Sequence, residues 1–301
     1  MKSIIIETIA GLGNRLVPLF SLYRLCKLHN IKLYVVWEKY RIDTKLGTIQ
    51  DCNVDFNKIF SNKNIILIKS HEVNKDKFPN MTVCNFHKNY NNIDLSLLEK
   101  YDTLLIKNRY YLFGESHENI NTWIPITKKE GKYQKDNLLI DLNKYITDFN
   151  IDKSILNKVD KIQQQFTKNM LGVHIRGSDN SKNSFYRNDN KDSINNPNSD
   201  ITHFFNFCDN YLKQENSSIF LMTPYQEIED YMKKKYTNQI ITYNKPNSNM
   251  VNNRSNEEGI KNGLIDLLLF SKCDTLIGTA GSSYSFLGWL FSNNNNYNIF
   301  F

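Results

Sequence analysis

Ser3-Ile4-Ile5-Ile6-Glu7-Thr8-Ile9-Ala10-Gly11-Leu12-Gly13-Asn14-Arg15-Leu16 opens the chain with an apolar run, a glycine turn and the start of a second apolar pattern. Ser3 to Glu7 reads as a buried strand. Ala10 to Asn14 reads as a tight turn, because glycine bends without steric cost and lets backbone N–H groups approach a ligand. Leu16, Leu19, Phe20 and Tyr23 then recur at helical spacing, with Pro18 acceptable only in a first helical turn. Ile31 to Trp37 is the next strand. Strand, glycine turn, helix, strand is a βαβ unit and sets the class as α/β.

The same grammar repeats further on. Ile65 to Ile68 and Thr103 to Ile106 read as short strands, and Ile151 to Lys168 as a helix. Met170 to Ile175 is a strand that runs into His174-Ile175-Arg176-Gly177-Ser178-Asp179. Ser181 to Ser199 lacks apolar periodicity and reads as a loop. Ile201 to Leu212 is helical and Ser218 to Met222 a strand. Thr223-Pro224-Tyr225-Gln226 predicts a helix start, with Thr223 as N-cap and Gln226 closing a capping box. Gln239 to Tyr243 is a strand, Asn244 to Asn256 a loop, and Glu257 to Cys273 a helix. Thr275 to Gly278 is a strand, and Ser283 to Phe291 a helix. A length of 301 residues suits two domains of about 150 residues each. The expectation is two Rossmann-like domains, 1–150 and 151–301, facing a cleft.

Composition removes several classes. The 38 basic and 31 acidic residues leave a net charge of +7, without the basic stripe and interleaved aromatics of a nucleic-acid binder. Cys26, Cys52, Cys84, Cys208 and Cys273 show no C-x-x-C spacing, so they read as core thiols and not as zinc ligands. No Asp-x-Asp pair occurs, and no metal site is expected. The N-terminus lacks a signal-peptide pattern. No apolar run reaches the roughly 18 residues needed to span a bilayer. A cytoplasmic protein is expected.

Four segments could carry chemistry. Gly11-Leu12-Gly13-Asn14-Arg15 places backbone donors at a helix N-terminus, where anions bind. It is neither G-x-G-x-x-G nor a P-loop, and a plain βα turn is the ordinary alternative. At the end of the mid-chain strand, alternation sends His174 and Arg176 to one side. Arg176 offers a permanently charged planar fork for phosphate; a surface ion pair and a core histidine are the competing account. Gly278-Thr279-Ala280-Gly281-Ser282-Ser283-Tyr284-Ser285 is a second small-residue turn before a helix, which simple capping by Ser282 or Ser283 also explains. Gly-x-Ser-x-Gly is absent, so no hydrolase nucleophile elbow is indicated. Asp266 interrupts an apolar helix, as a carboxylate reading a guanine edge or as an exposed helical residue.

In this order the segments resemble the fucosyltransferase-related enzymes of the GT-B fold: core α1,6-, nodulation, protein O- and bacterial α1,2-fucosyltransferases. The resemblance rests on Gly11 to Leu16, His174 to Asp179, and Asp266-Leu267-Leu268 through Ser271 to Ser283. It implies GDP-fucose as donor, a glycan or other hydroxyl acceptor, inversion, and no metal or other cofactor. It further implies that Arg176 binds the β-phosphate and that His174 and Asp266 contact guanine or ribose. Gly11, Gly13, Asn14, Ser282 and Ser283 would line the pyrophosphate and sugar, with Arg15 and Thr279 in the same loops. The C-terminal half would hold the donor and the N-terminal half the acceptor. Gly177 stands where the core enzymes carry a second arginine, and their catalytic carboxylate has no clear counterpart. Asp179 is the first candidate base and Glu7 the second; a third route leaves the proton to the departing phosphate. Another nucleotide sugar as donor, or a non-catalytic nucleotide- or carbohydrate-binding protein, are the alternatives.

Overall fold

The computed structural model describes residues 2–43, 48–84, 92–107, 114–115, 131–176, 201–243, 256–294 and 296–300. Asp179, the expected loop 181–199 and all but Asn256 of the expected loop 244–256 lie outside them. The chain divides into two compact units. One comprises Met1–Trp123, Asp136–Ile155 and Asn253–Lys261, and the other Ile124–Lys135, Leu156–Asn252 and Asn262–Phe301. The expected boundary at 150 falls inside a segment that belongs to the first unit.

The first unit is built on a five-stranded parallel sheet. Its strands are β1 (Ser3–Glu7), β2 (Lys32–Val36), β3 (Ile65–Ile68), β4 (Met81–Cys84) and β5 (Thr103–Lys107). Their spatial order is β3-β2-β1-β5-β4. All five residues of β1 are buried, as expected of a central parallel strand covered on both faces. Helix α1 (Leu12–Leu28) connects β1 to β2 and is buried at nearly every position from Leu12 to Cys26. Pro18 lies in its interior, contrary to the expectation that it would sit in the first turn. It removes the donor for one carbonyl, and burial of the whole helix outweighs a local cost of about 3 kcal/mol.

The second unit carries a six-stranded sheet. Its strands are β6 (Gly131–Gln134), β7 (Asn169–His174), β8 (Ser217–Met222), β9 (Ile240–Thr242), β10 (Thr275–Thr279) and β11 (Asn296–Phe300). The order is β6-β11-β10-β7-β8-β9, all parallel except the β6 edge. Without β6 this is the doubly wound Rossmann order, which reverses direction between β7 and β10. The fold is therefore α/β with two Rossmann-like units, as the sequence predicts.

Four helices position the site: α2 (Ile201–Tyr211), α3 (Gln226–Lys235), α4 (Glu257–Ser271), which belongs to this unit from Asn262 on, and α5 (Ser283–Phe291). Leu171, Val173 and Ile175 pack with Phe204, Cys208, Ile228 and Met232 in one core cluster, which covers one sheet face with α2 and α3. The alternate residues of β7 face α4 and α5. Gly172 lies there because a Cβ would come within 2.9 Å of both Phe270 and Leu276. Helix α3 begins at Gln226, with Tyr225 as an N-cap that makes no side-chain bond. The expected capping box is therefore absent. Thr223 Oγ1 instead accepts from Tyr225 N–H at 3.3 Å, a local turn that competes with capping.

One buried charge offers a test of this unit's packing. Lys135, just after the β6 edge, donates to the Ser292 carbonyl at the end of α5 and lies 5.9 Å from the Trp289 ring centroid. Burial pushes its ammonium from 10.5 down to about 8. Between those values the unfolded chain holds more protons than the folded one, so this group makes stability rise with pH. Lys135→Met removes the effect. The difference in melting temperature between variant and parent is expected to move in the parent's favour from pH 8 to 10. A pH-independent difference would contradict it.

Candidate functional site

In an open α/β sheet, ligands collect outside the carboxyl ends of the strands where the order reverses. In the second unit that place is the end of β7 beside the end of β10. Thr279 joins them. Its Oγ1 donates to the His174 carbonyl at 3.0 Å and accepts from Arg176 N–H at 2.8 Å. Arg176 is thereby fixed by its backbone as the first half-buried position beyond β7. Gly281 adopts φ +71°, a left-handed conformation that costs glycine little, and turns the chain into α5. Ser282 is the N-cap of α5 and accepts from Ser285 N–H at 3.2 Å. No acidic residue occupies the first turn, so the helix end keeps its positive partial charge for an anion. The capping role expected of Ser282 or Ser283 falls to Ser282.

His174 is 3% exposed. Its Nδ1 is in a short hydrogen bond with Ser285 Oγ, and its ring lies 5.5 Å from that of Tyr284. Tyr284 Oη donates to the Gly263 carbonyl on α4. Gly263, Asp266 and Phe270 fall on one face of α4 by helical spacing, and Gly263 and Phe270 both meet α5. Asp266, 2% exposed, thus sits between two contacts with α5, and the exposed-helix account of it is ruled out. One turn earlier, Asn262 accepts from Tyr243 Oη at 2.6 Å.

The glycine turn of the first unit occupies the equivalent edge of its own sheet, where the order reverses between β1 and β5. Gly11 is the N-cap of α1, without a side-chain cap or an acidic first turn. A Cβ there would meet nothing within 4 Å. The left-handed residue is Ala10, φ +65°. Gly13 is buried in the first turn of α1 and Asn14 half-buried. Arg15 departs from the expected donor contact. It is fully buried, with Nε on the Ala10 carbonyl and Nη1 on the Glu38 carbonyl, both at 2.6 Å, and its guanidinium 5.1 Å from the Trp37 ring. It braces the turn from inside. Glu7, also buried, ends β1 with its carboxylate 4.0 Å from Lys107 Nζ.

The structure brings His174, Arg176, Thr279, Ser282 and Ser283 together at one edge, with Asp266 on the adjoining helix. Glu7, Gly11, Gly13 and Asn14 share the edge of the other unit. Residue order gives Ser285 and Tyr284, in the second glycine turn, no role of their own. Ser285 stands three residues after the N-cap and is followed by an apolar run, Phe286 to Phe291, which places it where the helix turns into the core. All five cysteines are unpaired thiols. Burial raises the pKa of the Cys26, Cys208 and Cys273 thiols, and that of Cys84 to about 11. Among the described residues no helix is long and apolar enough to cross a membrane.

No family model and no curated protein matches the sequence. Solved structures do resemble the fold. Fucosyltransferase NodZ from Bradyrhizobium aligns with a TM-score of 0.59 at 14% identity, over 97% of this chain and 94% of that one. A mutant of Arabidopsis thaliana FUT1 in complex with GDP aligns with a TM-score of 0.61 at 14% identity, over 96% and 68%. POFUT1 in complex with GDP aligns at 0.52 and 11% identity, over 99% and 97%.

Proposed function

We propose that this chain is an inverting, metal-independent glycosyltransferase that takes fucose from GDP-fucose to a glycan or other hydroxyl acceptor, in the cytoplasm. The observation that carries the reading is the switch point of the second sheet. There an arginine, an uncompensated helix N-terminus and a buried carboxylate on the adjoining helix occupy one edge. The first two suit a diphosphate, and the third suits a base with adjacent N–H donors. The neighbours named above with GDP in their structures share this architecture, which supports the choice of nucleotide.

In the proposed reaction the acceptor hydroxyl attacks the anomeric carbon as its bond to the diphosphate oxygen breaks. Arg176 and the N–H groups of α5 stabilise the negative charge that grows on the leaving GDP. They supply the positive charge that a divalent cation provides in other transferases. The hydroxyl proton goes to Asp179, to Glu7 or to the departing phosphate. Glu7 suits a base in being buried at a strand end, with its carboxylate 4.0 Å from Lys107 Nζ.

Asp266 gives the reading a selective test. An ionised carboxylate only accepts, guanine presents two adjacent N–H donors, and uracil presents one ring donor. Asp266→Asn is expected to weaken GDP by about 1.5–3 kcal/mol, the size of a lost charged hydrogen bond, and to leave UDP almost unchanged. Thermal shift against GDP, UDP and ADP reads this directly, because a bound ligand raises apparent stability by mass action. Equal weakening of GDP and UDP would make Asp266 structural. Transfer from GDP-fucose after exhaustive chelation tests the rest: activity restored only by magnesium or manganese would refute metal independence. Tight GDP binding without transfer or hydrolysis would identify a binding protein.

A further inference from the structure

We propose that Thr279 is a positioning residue: its hydroxyl locks the backbone of Arg176 to the end of β10, and it acts on the donor through that arginine without touching the nucleotide. The ligand in this proposal rests on the donor-site reading above; the hydrogen-bond argument does not.

Each bond of the Thr279 hydroxyl has one possible direction. The His174 carbonyl can only accept, and the Arg176 N–H can only donate. Oγ1 therefore gives its one proton to the carbonyl at 3.0 Å and accepts from the N–H at 2.8 Å. One lone pair remains, and it has no proton to offer a phosphate oxygen. Thr279 stands in the loop expected to line the donor, yet its hydroxyl is already committed to the backbone of β7.

These bonds lie where the sheet itself stops. The ladder between β7 and β10 pairs Leu171 with Thr275, Gly172 with Leu276 and Val173 with Ile277, and ends there. On its other side β7 continues to His174 opposite Met222, and Ile175 N–H donates to the Met222 carbonyl at 3.1 Å. One residue further, the Thr279 hydroxyl does for Arg176 what a neighbouring strand does for the residues before it. The residue that follows Arg176 is Gly177, which has no side chain to restrict the backbone.

Thr279 is buried and has three holds of its own. Its N–H donates to Ser285 Oγ at 3.3 Å, its carbonyl accepts from Ser282 N–H at 3.2 Å, and it pairs with Phe300 of β11. An anchor so fixed sets where the Arg176 side chain starts. Displacing a binding or reacting group by about 1 Å costs as much as about 100-fold in rate.

The test is a cycle on GDP affinity by isothermal titration, with Thr279→Val, Arg176→Ala and the double variant. Valine keeps the shape and removes the hydroxyl. Thr279→Val is expected to weaken GDP about tenfold and to lower turnover of GDP-fucose with it, the size of one lost hydrogen bond. In the Arg176→Ala background the same change is expected to alter GDP affinity by less than about twofold, because the group it positions is gone. Thr279→Ser keeps the hydroxyl and is expected to stay near the parent. A tenfold loss repeated in the Arg176→Ala background, or a Thr279→Ser protein as weak as Thr279→Val, overturns the proposal. Hydrogen exchange at the Arg176 amide, followed by NMR in the nucleotide-free protein, reads the bond without ligand. The parent amide is expected to be protected, and to exchange about tenfold faster in Thr279→Val. An unprotected amide in the parent overturns the proposal even if Thr279→Val does not fold. A protected amide in a parent that binds no GDP upholds the anchor and refutes the donor-site reading, so the two fail separately.

Discussion

Alanine at position 176 is expected to weaken GDP binding about 100-fold, close to 2.7 kcal/mol, the loss of charged hydrogen bonds to a phosphate. The argument begins with alternation along β7. Leu171, Val173 and Ile175 are committed to the apolar core, so Arg176 falls on the His174 side. Its N–H is tied to Thr279, which holds the backbone and leaves the side chain at the mouth of the sheet. A guanidinium grips a diphosphate with two parallel bonds, whereas an ammonium acts as a point charge. Arg176→Lys is therefore expected to recover only part of the affinity. Turnover of GDP-fucose should fall more than ground-state binding does, because charge on the leaving diphosphate grows toward the transition state. Isothermal titration with GDP and steady-state kinetics read both effects. The melting temperature of the nucleotide-free protein is expected to stay near the parent's. Near-parental GDP affinity in Arg176→Ala would remove Arg176 from the site.

The largest loss of stability is expected from Gly278→Ala. A methyl at this position would stand 1.9 Å from Tyr297 Oη, 2.8 Å from Tyr297 Cζ and 2.9 Å from Ser285 Cβ. Tyr297 is 1% exposed and Ser285 0%, so neither has solvent to retreat into. Overpacking a close-fitting interior typically costs about 1–3 kcal/mol, and more where the neighbours cannot move. The variant is expected to reach or pass the top of that range in chemical denaturation. Tyr297→Phe in the same chain removes the nearest atom and is expected to restore part of the loss, a coupling that a double-mutant cycle measures. Additive effects of the two substitutions would show that the strain lies elsewhere.

Much of this molecule was legible from residue order. The strands at 3–7, 103–107 and 217–222 stand where apolar runs bounded by turn residues predict them, since a parallel strand covered on both faces must be apolar throughout; the strand at 65–68 is equally apolar although it lies at the sheet edge with Ile66 and Leu67 exposed. Residue order alone does not mark the strand at 131–134, the helix at 137–146 or the closing strand at 296–300. Gly131-Lys132-Tyr133-Gln134 and Asn296-Tyr297-Asn298 are polar; the two strands pair antiparallel with each other across more than half the chain, and the second also pairs parallel with β10. The helix expected over 151–168 is shorter, Lys153–Gln163; it starts later because Asn150 and Ile151 pair with Ser61 and Phe60 instead.

The candidate site divides the same way. Glycine turns between strand and helix, and an arginine two residues after a strand histidine, are local patterns. By themselves they determined that this protein is α/β and which loops stand at the carboxyl ends of its strands. Tertiary structure decided what each residue does there. Arg15 and Arg176 each follow a strand and belong to a candidate loop, and both are permanently charged. Yet Arg15 is enclosed by the Ala10 and Glu38 carbonyls and the Trp37 ring, while Arg176 stands half-buried at the sheet edge. Gly278 reads as part of an anion-binding turn, and its physical constraint is a tyrosine from the last strand. Asp266 reads equally as buried or exposed until α4 is packed against α5. The reason is common to all three. Strand, turn and helix state follow from neighbours along the chain. Whether a charge, a glycine or a carboxylate faces ligand or core depends on groups that only packing brings within a few ångströms.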